Sequence, residues 1–154
     1  MPIDPAIEAP TRDILGAMLR DDVDTVEERV TALDKVGRFN DSLALVTRIA
    51  GAAALDMTNG ERPADQWFTD VSRQLAELDD GANSLTASEA DSFLRRIVFD
   101  GERLDAVLPV EDAIRVPYVV TATLLASSGP EGRQWWEWLD FLESALETAH
   151  GPTG

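Results

Sequence analysis

Apolar residues recur three and four positions apart along most of this chain, which is the spacing of one face of an α-helix. The pattern predicts a helix from Thr11, a candidate N-cap, to Arg20. A second helix is expected to be capped by Asp22 or Asp24 and to end at Gly37. The first part of the chain is therefore predicted to be helical.

Two more amphipathic helices are expected in the middle of the chain. Pro63 suits the first turn of one of them, and its apolar stripe consists of Trp67, Phe68, Val71, Leu75 and Leu78. Residues Thr86 to Glu89, with the sequence TASE, form a capping-box pattern at the start of the other helix. Behind that box lies a second apolar stripe, made of Ala90, Phe93, Leu94, Ile97 and Val98.

Two segments are apolar on nearly every side, which predicts helices in the interior of the fold. The first runs from about residue 42 to 57, and its small residues Gly51 to Ala54 would let a neighbouring helix approach closely. The second runs from about 117 to 127 and is expected to begin at Pro117. Its β-branched residues also fit a buried strand, but the sequence offers no second strand pattern with which it could pair.

Together these elements predict an all-α fold: a single compact bundle of six or seven helices, with the two apolar helices at the centre and amphipathic helices around them. We expect one domain over residues 1–154, with 1–10 and 150–154 frayed. The longest uncharged run covers residues 116–130, whereas a membrane span needs about 20 apolar residues. A soluble, cytoplasmic protein is expected.

The last predicted helix follows Gly129-Pro130 and holds three tryptophans within four positions. At about 100° per residue, its core face is predicted to consist of Trp135, Trp138, Leu139, Phe141, Leu142, Ala145, Leu146 and Ala149. Trp136 points about 100° away from Trp135, into a face with several acidic residues. It has the character of an interface anchor, unless it folds back under the Gly129-Pro130 loop or against another helix end.

The charge of the chain is its most unusual bulk property. Asp and Glu together number 29 against 13 Lys and Arg, so the formal net charge is -16. Such a surface repels phosphate backbones and anionic lipids, and we expect neither direct nucleic-acid binding nor membrane binding. A basic partner is compatible with it, and so is mimicry of a nucleic acid. A compositional bias or an adaptation to high salt would give the same charge without a functional meaning.

Three pairs of residues are spaced for i,i+4 ion pairs with the acid first: Glu8–Arg12, Asp91–Arg95 and Glu111–Arg115. If they form, the acids of the second and last helices are left largely uncompensated.

The cysteine and histidine groups on which several common enzyme mechanisms depend are nearly absent. There is no cysteine, and the only histidine is His150, so Ser-His or Cys-His catalysis has no base and a zinc site has no usual ligands. The acidic segments 20–28 and 79–84 lack the glycine and glutamate positions of an EF-hand loop. We therefore expect no catalytic residue, no metal site and no cofactor.

The sequence thus favours a non-catalytic interaction module, an adaptor, regulator or immunity-type protein that binds a basic protein partner. The candidate partner-binding residues are Trp136, Asp140, Glu143, Glu147, Asp24, Glu27 and Glu28. The alternatives are a nucleic-acid mimic that blocks a DNA-binding protein, a carboxylate- or metal-dependent enzyme, and a structural subunit of a homo-oligomer.

Overall fold

The computed structural model describes residues 3–61, 63–79, 84–99, 114–127 and 134–149. Over these ranges the chain forms seven α-helices and no strand, which confirms the predicted all-α bundle. The helices are α1 (Pro5–Leu19), α2 (Val23–Lys35), α3 (Phe39–Met57), α4 (Asp65–Asp79), α5 (Ala87–Phe99), α6 (Val119–Ser127), which follows a π-helical turn (Ile114–Tyr118), and α7 (Trp135–Ala149).

The two helices predicted to be central, α3 and α6, do occupy the middle of the bundle. α3 packs against α1, α2, α5, α6 and α7, and α6 packs against α1, α3, α4 and α7. All seven helices contribute to one continuous cluster of buried apolar side chains. None of the helices in the described part of the chain is both long and apolar enough to cross a membrane.

The first helix begins earlier than its apolar pattern predicts. Asp4 caps α1 by accepting a 2.9 Å hydrogen bond from the Ala6 backbone N–H, and Pro5 occupies the first turn, where its missing N–H costs nothing. Thr11, the predicted cap, is buried, and its hydroxyl donates to the Ile7 carbonyl at 2.7 Å. The predicted Thr11 cap is therefore wrong, and α1 extends into the segment expected to be frayed.

Buried hydroxyl groups join the first helix to the two central segments. Thr11 Oγ1 is hydrogen-bonded to Ser42 Oγ of α3, which in turn lies 2.7 Å from the Tyr118 hydroxyl. Burial raises the pKa of Tyr118 well above its ordinary value, so the phenol stays neutral. Because each hydroxyl has a partner, this polar chain can lie in the core without an unsatisfied group.

The segment around Pro117 is helical, so the strand alternative is excluded, but the helix does not start at Pro117. That residue lies inside the π-helical turn Ile114–Tyr118, which leads into α6. Proline has no backbone N–H and its ring crowds the carbonyl four residues earlier. The π-helical turn thus lies at a residue that disfavours a regular α-helix, and the α-helix continues after it.

The other helix boundaries follow local capping rules. Asp22 caps α2, and the predicted capping box of α5 is present, with Thr86 and Glu89 each accepting the backbone N–H of the other at 3.1 Å. α4 begins just after Pro63, at Asp65.

Two details of the predicted packing are wrong. Leu78, predicted at the end of the α4 stripe, is 53% exposed and lies one residue before the end of the helix. Among the described residues, a Cβ atom on Gly51 would meet nothing within 4 Å, so no described segment makes the predicted close approach at that position. Ala53 and Ala54, by contrast, are buried.

Candidate interaction surface

The last helix, α7, places its three tryptophans in three different environments. Trp138 is 1% exposed, and its indole N–H donates a 2.9 Å hydrogen bond to Asp56 Oδ2 of α3. Trp135 is only partly buried against the core. Trp136 is 45% exposed. The predicted burial of Trp138 and exposure of Trp136 are confirmed, whereas Trp135 is less buried than predicted.

A glycine of α1 makes room for Trp135. A Cβ atom on Gly16 would lie 3.2 Å from Cζ2 and 3.3 Å from Cη2 of Trp135, so the edge of this ring rests on bare helix backbone. The Trp136 ring stands edge-on to Trp135, with 5.7 Å between the ring centroids and 87° between the ring planes. The exposed indole therefore rests against a ring that is itself packed on α1.

The buried face of α7 is rotated relative to the predicted one. Phe141, predicted to be in the core, is 45% exposed, whereas Glu143, predicted to face a partner, is only 7% exposed. Ala145 is exposed as well. Arg12 of α1 explains this rotation. It lies beside Glu143 and forms a hydrogen bond with its carboxylate, so the Glu143 side of α7 can be buried. The prediction of Glu143 as an accessible partner-binding residue is therefore wrong.

Four side chains form the Arg12 cluster between α1 and α7: Glu8, Arg12, Asp140 and Glu143. Arg12 Nε lies 2.6 Å from Glu8 Oε1, which confirms the predicted i,i+4 pair. Arg12 Nη2 lies 2.6 Å from Asp140 Oδ1 and 2.7 Å from Glu143 Oε1. One guanidinium thus binds three carboxyl groups. The expectation that the acids of the last helix are uncompensated is wrong for Asp140 and Glu143.

The protonation of the cluster follows from its burial. Burial raises the pKa of Glu143 to about 7, the nearby charge of Glu8 adds to the rise, and the charge of Arg12 opposes it. Partial burial disfavours the charge of Arg12, but hydrogen bonds to Glu8 and Asp140 outweigh that effect and raise the pKa of Arg12 above its ordinary value. Near neutral pH, Glu143 therefore exchanges a proton while Arg12 keeps its charge.

α1 and α7 contact each other near both of their ends, and we call the interface between them the α1–α7 seam. The Ile3 backbone N–H donates a 3.2 Å hydrogen bond to Glu147 Oε2, near the end of α7. At the other end, Gly16 of α1 meets Trp135, the first residue of α7. The two helices are therefore antiparallel, with the Arg12 cluster between these contacts. Glu147, a predicted partner-binding residue, therefore accepts a hydrogen bond from within the same chain.

The acids predicted on α2 belong to another part of the surface. All three are exposed: Asp24, Glu27 and Glu28. α2 meets α1 through a 3.2 Å ion pair between Arg29 and Asp13. Asp13 follows Arg12 directly, and successive helix positions point about 100° apart, so α2 and α7 contact different flanks of α1. The two groups of predicted residues are therefore not brought together.

Three neighbouring residues of α7 remain accessible, and we call them the docking face: Trp136, Glu137 and Asp140. All three are exposed, and the Asp140 side chain is 64% exposed although Arg12 binds one of its oxygens. The described helix α7 carries four acidic residues and no basic one. Glu137 was missed by the sequence reasoning, although its position directly after Trp136 could have indicated it.

Glu137 also has a local role. Its carboxylate accepts a 3.1 Å hydrogen bond from the Gln134 backbone N–H and so orders the start of α7. The docking face therefore lies on the ordered first two turns of a helix.

Across the described ranges, no group of three or more His, Cys, Asp or Glu side chains is arranged to hold a metal ion. The second predicted i,i+4 pair, Asp91–Arg95, is confirmed, whereas Glu111 of the third pair and the single histidine, His150, lie outside the described residues.

A cleft of about 240 Å³ lies between the start of α1 and α3, with Ile3, Ile7 and Leu45 among its apolar walls. Arg38 is paired in this cleft with Asp4 at 3.1 Å and with Asp41. Two arginines and two aspartates line it, so their formal charges cancel.

Comparison with known proteins gave no match: no protein-family model matches the chain, and no curated protein and no solved structure is significantly similar to it.

Proposed function

We propose that this protein is a non-catalytic interaction module that binds a basic segment of a partner protein at the docking face. The observation that carries the proposal is the 45% exposure of Trp136 beside the exposed carboxylates of Glu137 and Asp140. Trp is a frequent energetic anchor of interfaces, and an indole face also attracts guanidinium and ammonium groups.

Charge complementarity indicates the chemistry of the partner. α7 has four acidic residues and no basic residue, and the whole chain has a net charge of -16. A partner rich in Arg or Lys would be steered towards such a surface and would pair with its carboxylates. Arginine fits best because its planar group can stack on Trp136 while it hydrogen-bonds to a carboxylate.

The proposal is tested by titrating the protein with a short arginine-rich peptide while tryptophan fluorescence is recorded. Trp136→Ala is expected to weaken binding by about ten-fold or more, as truncation of an interface anchor does. Phe141→Ala is the matched control, since Phe141 has the same exposure on the same helix but points about 140° away. Equal effects of the two substitutions would contradict the proposed docking face.

Dependence on salt separates this proposal from nucleic-acid mimicry. Contact with the Trp136 indole should persist in part at high ionic strength, because burial of apolar surface is not screened. Glu137→Gln should weaken binding mainly at low salt, since Gln keeps an oxygen for the Gln134 cap but loses the charge. Binding that vanishes at high salt and does not respond to Trp136→Ala would instead favour a mimic.

A further inference from the structure

The Arg12 cluster contains more negative charge than its single cation can balance. Arg12 is shared by Glu8, Asp140 and Glu143 at 2.6–2.7 Å. The Glu143 side chain is 9% exposed, so water screens its charge poorly. Two carboxyl groups in contact away from water do not both ionise readily, and Glu8 and Glu143 are close enough to share a hydrogen bond.

Among the described residues, Arg12 is the cation that faces Glu143, and no second one supplies the missing positive charge. α6, which also packs against α7, has no ionisable side chain between Val119 and Ser127. The α3 residue that contacts α7 through a hydrogen bond is Asp56, and it binds Trp138 on a different flank. Within α7, the acids one turn away are Asp140 and Glu147. A proton on Glu143 is therefore the simplest way to relieve the repulsion.

Asp140 links this cluster to the surface. One of its carboxylate oxygens binds Arg12, yet its side chain is 64% exposed and belongs to the docking face. When Glu143 is protonated, Arg12 is shared mainly between Glu8 and Asp140, and the charge of Asp140 is partly neutralised. When Glu143 is ionised, it competes with Asp140 for the positive charge of Arg12, and the docking face becomes more negative.

We propose that the Arg12 cluster is a proton-dependent regulator of the docking face: the protein binds a basic partner more tightly when Glu143 loses its proton. This inference rests on the proposed function, because it assumes that a positive partner approaches Asp140. By linkage, a cation that binds next to Glu143 favours its ionised form, so binding releases a proton and the affinity rises with pH.

The test uses the intact protein and the same arginine-rich peptide, at constant ionic strength, at about pH 5.5 and about pH 8.5. The wild-type protein should bind about three- to ten-fold more tightly at the higher pH, since one unit of pKa change corresponds to ten-fold in affinity. Glu143→Gln, which mimics the protonated acid, should abolish this difference. Glu77→Gln, at an exposed position of α4 outside the seam, should retain it.

A second measurement needs no variant and no peptide. Carboxyl carbon NMR of the wild-type protein should show Glu143 titrating near neutral pH, and titration in the ordinary range of about 4 to 5 would overturn the inference. Peptide binding of equal strength at both pH values would overturn it too and leave the docking function intact. Absence of peptide binding at either pH would contradict the docking function, and the regulatory inference would fall with it.

Discussion

Arg12 and Glu143 are 131 positions apart in the chain, yet Arg12 Nη2 lies 2.7 Å from Glu143 Oε1. This contact joins the first of the described helices to the last. Because Glu143 is buried, its partner matters more for stability than a surface ion pair would.

We expect Arg12→Ala to lower the free energy of unfolding by about 1–3 kcal/mol, because it leaves three carboxyl groups together without a cation. The control is Arg29→Ala, which removes the more exposed pair with Asp13 and should cost less than about 1 kcal/mol. Urea unfolding of both variants measures the difference. Equal losses would mean that the Arg12 cluster behaves as an ordinary surface pair.

The stability of the protein should depend on pH through Glu143. Its pKa of about 7 in the folded protein is higher than the ordinary value of 4.5, so the folded state binds this proton more tightly than the unfolded state does. The stabilisation is complete below about pH 4.5 and is lost as the pH rises through about 7. In the Glu143→Gln variant, the loss of unfolding free energy over this pH range should be smaller by roughly 1–2 kcal/mol. Denaturant unfolding at a series of pH values would show this. An unchanged pH profile in the variant would contradict the assignment.

The three tryptophans should differ in their contribution to stability. Trp138→Ala should cost about 3 kcal/mol or more, because it empties a core site and removes the partner of Asp56. Trp136→Ala should cost less than about 1 kcal/mol, and the partly buried Trp135 should be intermediate. Thermal unfolding of the three alanine variants checks the order, and a Trp136 loss as large as that of Trp138 would remove it as a docking residue.

Two helix glycines should respond in opposite directions to a larger side chain. Gly51→Ala should stabilise the protein by about 0.5–1 kcal/mol, since the new methyl group meets none of the described residues within 4 Å and alanine favours the helix. Gly16→Val should destabilise it and displace Trp135, whose ring is 3.2 Å from the position of a Cβ atom. Unfolding curves and the shift of tryptophan emission report both effects. Destabilisation by Gly51→Ala would show that α3 has a closer neighbour there.

Two buried serines provide another matched pair. Ser42 is hydrogen-bonded to Thr11 and Tyr118, so Ser42→Ala should cost about 1–3 kcal/mol by leaving these hydroxyls with fewer partners. Ser72 Oγ has no hydrogen-bond partner among the described residues. Ser72→Ala should therefore be neutral or slightly stabilising. Equilibrium unfolding of both variants tests the difference, and a large loss from Ser72→Ala would reveal a partner outside the described residues.

Local sequence rules were sufficient for the helices and for several of their caps. The capping box between Thr86 and Glu89 and the Asp22 cap act over three residues, so the sequence shows both partners together. The nearly all-round apolar pattern of α3 and α6 likewise indicated central helices, because little polar face was left for water. The opposed exposure of Trp136 and Trp138 followed from helix periodicity alone.

The identity of the buried flank of α7 was decided only by tertiary structure. Periodicity assigned Phe141 to the core and Glu143 to solvent, because it ranks side chains by polarity alone. In the folded protein, Arg12 forms an ion pair with Glu143, and the Glu143 side of α7 is buried. The contact between Gly16 and Trp135 was likewise decided only by the tertiary structure, because only the folded chain brings these two residues together. Sequence rules act within about one helical turn, whereas these contacts join the two ends of the chain.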